Sequence, residues 1–244
     1  MKQMARRRFF VPEVRNNRAE LNGDEAKHLT QVLRVEAGQI YEISDNERVY
    51  LAEVSLARKA QVVFEIKEIF ASPQPQLPLT LCASLIKFER LETIIEKATE
   101  LGVSEIQFVQ AERSEKGLEQ AVPKRMARWQ RIALEASQQS RRARLPRLSG
   151  PVHLRTALQL AADYRLFLDE QESADTRPML STLGQPGSTA ILIGPEGGWP
   201  DHERESAIAA GWTPVSLGSF VLRADTAAIA ALAIIHAAFQ LNTR

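Results

Sequence analysis

The chain has 244 residues, enough for one large domain or two smaller ones with a sizeable core. Hydrophobic residues make up 44% and charged residues 25%, an ordinary globular balance; a formal net charge of +1 means that partners must be read from the distribution of charge, not its total. The single cysteine, Cys82, excludes an intrachain disulfide, fits a reducing compartment, and lies in the apolar run LTLCASLI as a small core residue.

No stretch has the length and apolarity of a membrane span. The nearest, TAAIAALAIIHAAF, is short and contains His236. The N-terminal MKQMARRRFFVPE has no apolar core or small-residue cleavage site of a secretory signal. The expectation is a soluble, cytoplasmic protein.

In chain order, the first 72 residues read as mostly β. A short helix is expected at GDEAKHLTQVLRV, and QIYEISD, RVYLAEVSLA and AQVVFEIKEI alternate apolar and polar residues around turn-forming segments. These imply a small barrel of about five or six strands. FASPQPQLPLT then packs three prolines into an extended connector. This divides the chain into residues 1–72 and 73–244.

Beyond the connector, strands alternate with helices. Strands are expected at LTLCASLI, EIQFVQ, YRLFLDE, TAILIG and TPVSLG. Helices are expected at FERLETIIEKATELG (stopped by Gly102), PKRMARWQRIALEASQQS, HERESAIAAG, and about Asp225–Phe239. The second of these carries Met126, Trp129, Ala133 and Ala136 as its apolar stripe. This texture predicts an α/β fold with a parallel sheet covered on both faces. The last helix is apolar nearly all round and must be buried in the domain or against a second subunit.

Two strand ends attract attention. ILIGPEGGW places Gly194, Pro195, Glu196, Gly197 and Gly198 where open parallel sheets bind ligands. The spacing matches neither common phosphate-binding glycine loop, and Glu196 would repel a polyphosphate. A neutral or cationic ligand suits it better, unless the segment is only a tight turn with a solvated carboxylate. VSLGSFVLRADT repeats the pattern: Leu217–Gly218, an apolar bridge through Leu222, Arg223, and a helix start capped by Asp225 or Thr226.

These segments, together with HLTQVLR, KFERLETIIEKATELGV, ERSEK and RWQRIALEASQQS, closely resemble the RsmE family. Its members are small-subunit (16S) ribosomal RNA uridine-N3 methyltransferases of the SPOUT class. The resemblance spans almost the whole chain. It implies an N-terminal PUA-like β-barrel, a C-terminal SPOUT-type α/β domain with a trefoil knot, S-adenosyl-L-methionine as methyl donor, and a homodimer. It places Ile193, Gly194, Pro195, Gly197, Gly198, Leu217, Gly218, Leu222 and Arg223 around the cofactor. The chain departs from the family pattern at Phe88 (usually Gly), at Gln138–Arg142 (usually E-Q-S/C-G-R) and at Leu222–Thr226 (usually L-R-T-E-T), where Asp225 is one methylene shorter than Glu.

Given that resemblance, the charge distribution gains meaning. Residues 113 to 147 hold ten Lys or Arg and three Glu. Lys124, Arg128 and Arg131 share a helix face, and RRARLPR follows. Clustering beside the presumed site favours a phosphate-backbone footprint over a merely solvated face. Arg7 and Arg8 in ARRRFF form a second basic patch with aromatics suited to stacking. Arg34, Lys87, Arg113, Lys124, Arg128, Arg141 and Arg142 complete the expected RNA-binding set, and the target is 16S ribosomal RNA or the small ribosomal subunit.

Methylating N3 of uridine requires loss of an imide proton. Arg223 is placed to favour the resulting anion, with Asp225 first and Glu196 second as base. The four His and one Cys form no metal-ligand spacing, so no metal is expected. Two rival readings remain open: another SPOUT RNA methyltransferase acting on a different base or a ribose hydroxyl, and a non-catalytic RNA-binding ribosome-assembly factor.

Overall fold

The computed structural model describes residues 7–70, 78–171 and 176–241. The Pro-rich part of the connector (71–77) and residues 1–6 of the N-terminal basic patch lie outside the described residues. The chain forms two compact units: Met1–Pro75 with Leu134–Leu145, and Gln76–Ala133 with Pro146–Arg244.

The first unit is built on six strands: β1 (Arg8–Phe10), β2 (Val14–Arg15), β3 (Arg18–Asn22), β4 (Ile40–Ser44), β5 (Val49–Arg58) and β6 (Gln61–Ile69). Their order is β1-β4-β5-β6-β3-β2. β1 and β2 are the edges and do not pair among the described residues, so the expected barrel is an open, curled sheet. Alternation explains its core. In β3, Ala19 and Leu21 are buried while Arg18, Glu20 and Asn22 are exposed. Phe9, Ile43, Val54 and Phe64 join them inside.

The early helix is real but changes type. α1 (Gly23–Lys27) runs into a π-helical turn, His28–Val32, and the Leu33 amide donates to the His28 carbonyl. Arg34 follows at a φ of +53°. The extra residue per turn turns Val32 out to solvent while Leu29 stays inside.

A buried carboxylate holds the segment around Arg141 in this unit. Glu42 is 6% exposed. Its Oε2 accepts from Arg8 Nη2 at 2.7 Å, and its Oε1 is paired with Arg141. Arg8 also donates to the Arg141 carbonyl at 2.6 Å, and Ser44 donates to the Ala143 carbonyl at 2.6 Å. Arg141 has a φ of +56°, a left-handed conformation that costs an L-residue about 1–2 kcal/mol. The side-chain pairing and these backbone contacts hold it there.

In the second unit every strand pair is parallel. β7 (Leu79–Ser84), β8 (Glu105–Gln110), β9 (Arg147–His153), β10 (Tyr164–Leu168), β11 (Arg177–Pro178), β12 (Thr189–Ile193) and β13 (Thr213–Ser216) lie in the order β11-β13-β10-β12-β7-β8-β9. β12 is buried at all five residues, as its unbroken apolar run requires. On one face pack α2 (Phe88–Glu100), α3 (Leu118–Gln139) and α7 (Ala224–Leu241), through Ile94, Ile95, Trp129, Leu232 and Ile235. The other face is covered by Leu154 of α4 (Leu154–Ala157) and Ala207 of α6 (Asp201–Ala209), with Trp199 and Trp212. Cys82 lies in that layer, fully buried, its thiol pushed up to about 12 by burial.

The expected elements of this unit are present, with three differences. α3 starts five residues before Pro123, so the proline sits inside the helix. Arg147, the end of the basic segment read as loop, opens β9. Leu134–Leu145, at the end of α3 and beyond it, belong to the first unit and not the second. Trp129 and Ala133 on α3 are buried as the stripe predicts.

Burial raises the Glu42 pKa, but hydrogen bonds and charge from Arg8 and Arg141 outweigh it and hold the carboxyl below the usual carboxylate range. A depressed folded pKa stabilises above the unfolded value and is lost as pH falls through the folded value. Glu42→Gln is therefore expected to cost about 2–3 kcal/mol at pH 7, less than a fully buried pair because Arg141 is half-exposed. In urea unfolding followed from pH 7 to pH 3, the difference from the parent should shrink below about pH 4. A constant difference would show that the charge contributes nothing.

Candidate active site

The sheet order sets β13, β10 and β12 side by side. Their carboxyl ends, Ser216, Leu168 and Ile193, therefore open at one edge, and a cleft of about 410 Å³ lies there. The two glycine tips form its sides, and the end of β10 lies between them. Ile193, Gly194, Pro195, Glu196 and Gly198 come from the first tip; Leu217, Gly218, Leu222 and Arg223 come from the second.

The glycines have distinct reasons. At Gly194 an added Cβ would lie 2.9 Å from the Trp199 indole nitrogen, so only hydrogen fits. That indole N–H donates to the Leu168 carbonyl at 2.9 Å, which ties the first tip to the end of β10. Gly218 has a φ of +123° with nothing within 4 Å of where a Cβ would be, so it opens space as well as bending the chain.

Two carboxylates of the cleft are paired. Arg90, at the start of α2, forms an ion pair with Glu196. Asp169, just past β10 and buried, is held by Arg204, whose Nη2 lies 3.1 Å from its Oδ1. Behind the first tip, Arg113 Nη1 donates to the Gly197 carbonyl at 3.0 Å. Gly197 itself does not line the cleft. Neither does Asp225, whose Oδ1 is buried without a hydrogen-bond partner. Beyond Gly218 the mouth is apolar and open: Phe220 is 84% and Val221 75% exposed.

Residues 72–236 match the RNA methyltransferase domain family, and residues 21–67 match the RNA methyltransferase PUA domain family. The ribosomal RNA small subunit methyltransferase E of Synechocystis sp. is 34% identical over 97% of this chain and 79% of its own length. That of Mesomycoplasma hyopneumoniae is 30% identical over 91% of this chain and 95% of its own. The chain belongs to the ribosomal RNA small subunit methyltransferase E family. Among solved structures, the family member from Neisseria gonorrhoeae bound to S-adenosyl methionine is 29% identical, with a TM-score of 0.84 over 95% of this chain and 97% of that one. A Legionella pneumophila putative methyltransferase with the cofactor SAM bound gives the same identity and TM-score.

The expected RNA-contacting residues fall into two groups. Arg34, Lys87 and Lys124 are exposed, as is Arg7. Arg128 is engaged by Glu92 through two hydrogen bonds of 2.6 and 2.8 Å, Arg8 and Arg141 by Glu42, and Arg113 by Gly197. Arg142 is half-buried, its pKa lowered to about 10 by burial. Among the described residues no group of His, Cys, Asp and Glu could hold a metal, and no helix is long and apolar enough to cross a membrane.

Sequence reasoning missed Arg90, Asp169, Glu170, Trp199 and Ser219 in the cleft wall. The signal for Asp169–Glu170 was present: two carboxylates at the end of a buried strand. Its relevance depended on knowing that β10 runs between the two tips.

Gly194→Ala tests the constraint most directly. The added methyl should displace the Trp199 indole and cost about 1–3 kcal/mol of stability in urea unfolding. An unchanged midpoint would show that Trp199 yields without loss.

Proposed function

We propose that this chain transfers a methyl group from S-adenosyl-L-methionine to N3 of a uridine in the 16S RNA of the small ribosomal subunit. The observation that carries this reading is the meeting of both glycine tips in one cleft, in a chain related end to end to proteins named for small-subunit RNA methylation. The cleft suits the cofactor. Its volume falls within the usual 300–1,000 Å³ of small-molecule sites. Gly218 leaves room that a side chain would fill, and Gly194 lets the chain pass close over Trp199. Ile193, Leu217 and Leu222 supply apolar walls, and Gly194, Pro195 and Gly198 lie beside them in a turn closed by the Gly198 amide donating to the Pro195 carbonyl at 3.0 Å.

When bound, the cofactor would supply an electrophilic methyl on a positive sulfur. Paired carboxylates near the cleft are compatible with that charge, as they would not be with a polyphosphate. Arg223 is exposed on the wall and can stabilise the anion left when the imide proton departs. Asp225, next to the cleft-lining Ala224, stays the first of the two expected carboxylates for the role of base. Its Oδ1 has no partner, whereas Glu196 is already held by Arg90. A paired base would be covered, so the uridine must be unpaired or flipped out.

The reading extends to the rest of the chain. Residues 1–72 serve as an RNA-binding domain and 73–244, apart from the Leu134–Leu145 segment that belongs to the first unit, as the methyltransferase domain, with Arg7, Arg34, Lys87 and Lys124 facing RNA. The domain carrying the tips is knotted as a trefoil. The outward stripe of α7, Thr226, Ala230, Ala233 and Ala237, is small and largely apolar, which suits close approach of a second copy. The protein acts in the cytoplasm as a homodimer.

Calorimetry should show saturable binding of S-adenosyl-L-methionine, and its absence would leave an RNA-binding factor. Arg223→Ala should keep that affinity within about threefold and lose about 100-fold or more in methyl transfer. Mass spectrometry of ribosomal RNA from a strain lacking the protein should show the loss of one N3-methyluridine. Loss of a different modification would overturn the proposed substrate.

A further inference from the structure

Glu203 stands apart from the residues discussed so far. It lies in the first turn of α6, is 8% exposed, and its Oε2 is buried with no hydrogen-bond partner. Its Oε1 accepts the backbone N–H of Glu112 at 2.9 Å. Burial pushes its carboxyl above the usual carboxylate range, an effect that the Glu112 amide only partly offsets. A carboxylate so placed is costly to stability, and an apolar residue would fill the same space at less cost.

Its one partner indicates what it does. Glu112 opens the loop between β8 and α3, and Arg113 is the next residue. Ser114 closes the loop on itself, its amide donating to the Ala111 carbonyl at 3.1 Å and its Oγ accepting the Ala111 amide at 3.2 Å. His202, beside Glu203 on α6, approaches the Glu112 carboxylate at 3.0 Å. From this loop Arg113 reaches the Gly197 carbonyl, and its side chain covers the glycine so closely that a Cβ there would lie 3.2 Å from the Arg113 Cβ. Arg113 and Gly197 are both exposed, so nothing else buries this contact. A hydrogen bond of this kind survives only if its donor is held in place.

We propose that Glu203 is a positioning residue for the cofactor cleft: by fixing the Glu112 amide it sets the loop from which Arg113 holds the back of the glycine tip. The consequence for S-adenosyl-L-methionine rests on the function proposed above; the mechanical link does not. Gly194, Pro195, Glu196 and Gly198 line the cleft, and the two glycines do so with backbone alone, so the conformation of the tip shapes the binding surface.

Two readouts separate the two claims. Hydrogen exchange followed by mass spectrometry over 110–117 and 194–199 reports the link without any ligand. Calorimetry and steady-state kinetics with S-adenosyl-L-methionine report its use. Glu203→Ala should speed exchange in both segments, weaken cofactor affinity and raise its KM by about tenfold, and change kcat less than threefold. Glu203→Gln keeps an accepting oxygen and should remain within about threefold of the parent on every measure. Arg113→Ala should reproduce the affinity loss with the Glu112 segment still protected, and the double variant should be no worse than the poorer single one. Should Glu203→Ala fail to fold, the glutamine and Arg113 variants carry the test. Unchanged exchange at 194–199 in Glu203→Ala or, failing that variant, in Arg113→Ala, additive losses, or a glutamine variant as impaired as alanine would overturn the proposal. If the parent protein binds no S-adenosyl-L-methionine, the proposed function fails, while the exchange data still decide the positioning role.

Discussion

A single packing constraint organises the candidate site: no side-chain carbon fits between the Gly194 backbone and the indole of Trp199. The indole reaches across to the Leu168 carbonyl, so the end of β12 and the end of β10 are fixed to one another through a side chain. Trp199 is 4% exposed and stacks edge-on near Phe167, which places this link in the core and not in a mobile loop. Only a glycine before the proline allows the chain to turn over the ring. The first wall of the cleft is thereby tied, at Gly194 and Trp199, to the sheet beneath it. The second wall, beginning at Gly218, has no such support and exposes Phe220 and Val221.

Arginine is the second organising element, and its use differs from what charge counting suggests. The excess of basic residues between 113 and 147 is real, yet several of those side chains are occupied. Arg128 is held by Glu92, Arg141 by Glu42 and Arg113 by a backbone carbonyl. Planar, multi-donor guanidinium suits such roles better than ammonium. A pair exposed on both sides contributes little, whereas Glu42 and Asp169 are nearly inaccessible and would be strongly destabilising without their partners. Of the residues expected to contact RNA, Arg34, Lys87 and Lys124 are exposed.

Much of this was legible in the sequence. Period-2 alternation gave β4 to β6, and unbroken apolar runs gave β7 and β12, because burial on one or two sheet faces imposes those patterns directly. Both glycine tips were visible because backbone geometry leaves few alternatives to glycine. What remained hidden depended on neighbours distant in the chain. The π-helical turn after Lys27 follows no residue code, and its consequence, exposure of Val32, contradicts the apolar pattern. Leu134–Leu145 look like the end of a helix and a basic loop, yet belong with the N-terminal sheet because Glu42, Ser44 and Asn46 engage them. Asp169 and Glu203 acquire meaning only once strand order is known.

The contrast between Glu196 and Asp225 shows why geometry must qualify motif. Glu196 occupies the centre of the most conspicuous motif in the chain, and its charge faces Arg90. Asp225 sits in a less obvious sequence, one methylene shorter than the related Glu, and its Oδ1 is buried and unmatched. An unsatisfied buried oxygen costs about 1–3 kcal/mol, which sets Asp225 apart from the paired Glu196. Asp225 does not line the cleft, whereas Arg223, immediately before the same helix, is on its wall, where on the proposed chemistry the charge left by the departing proton would form.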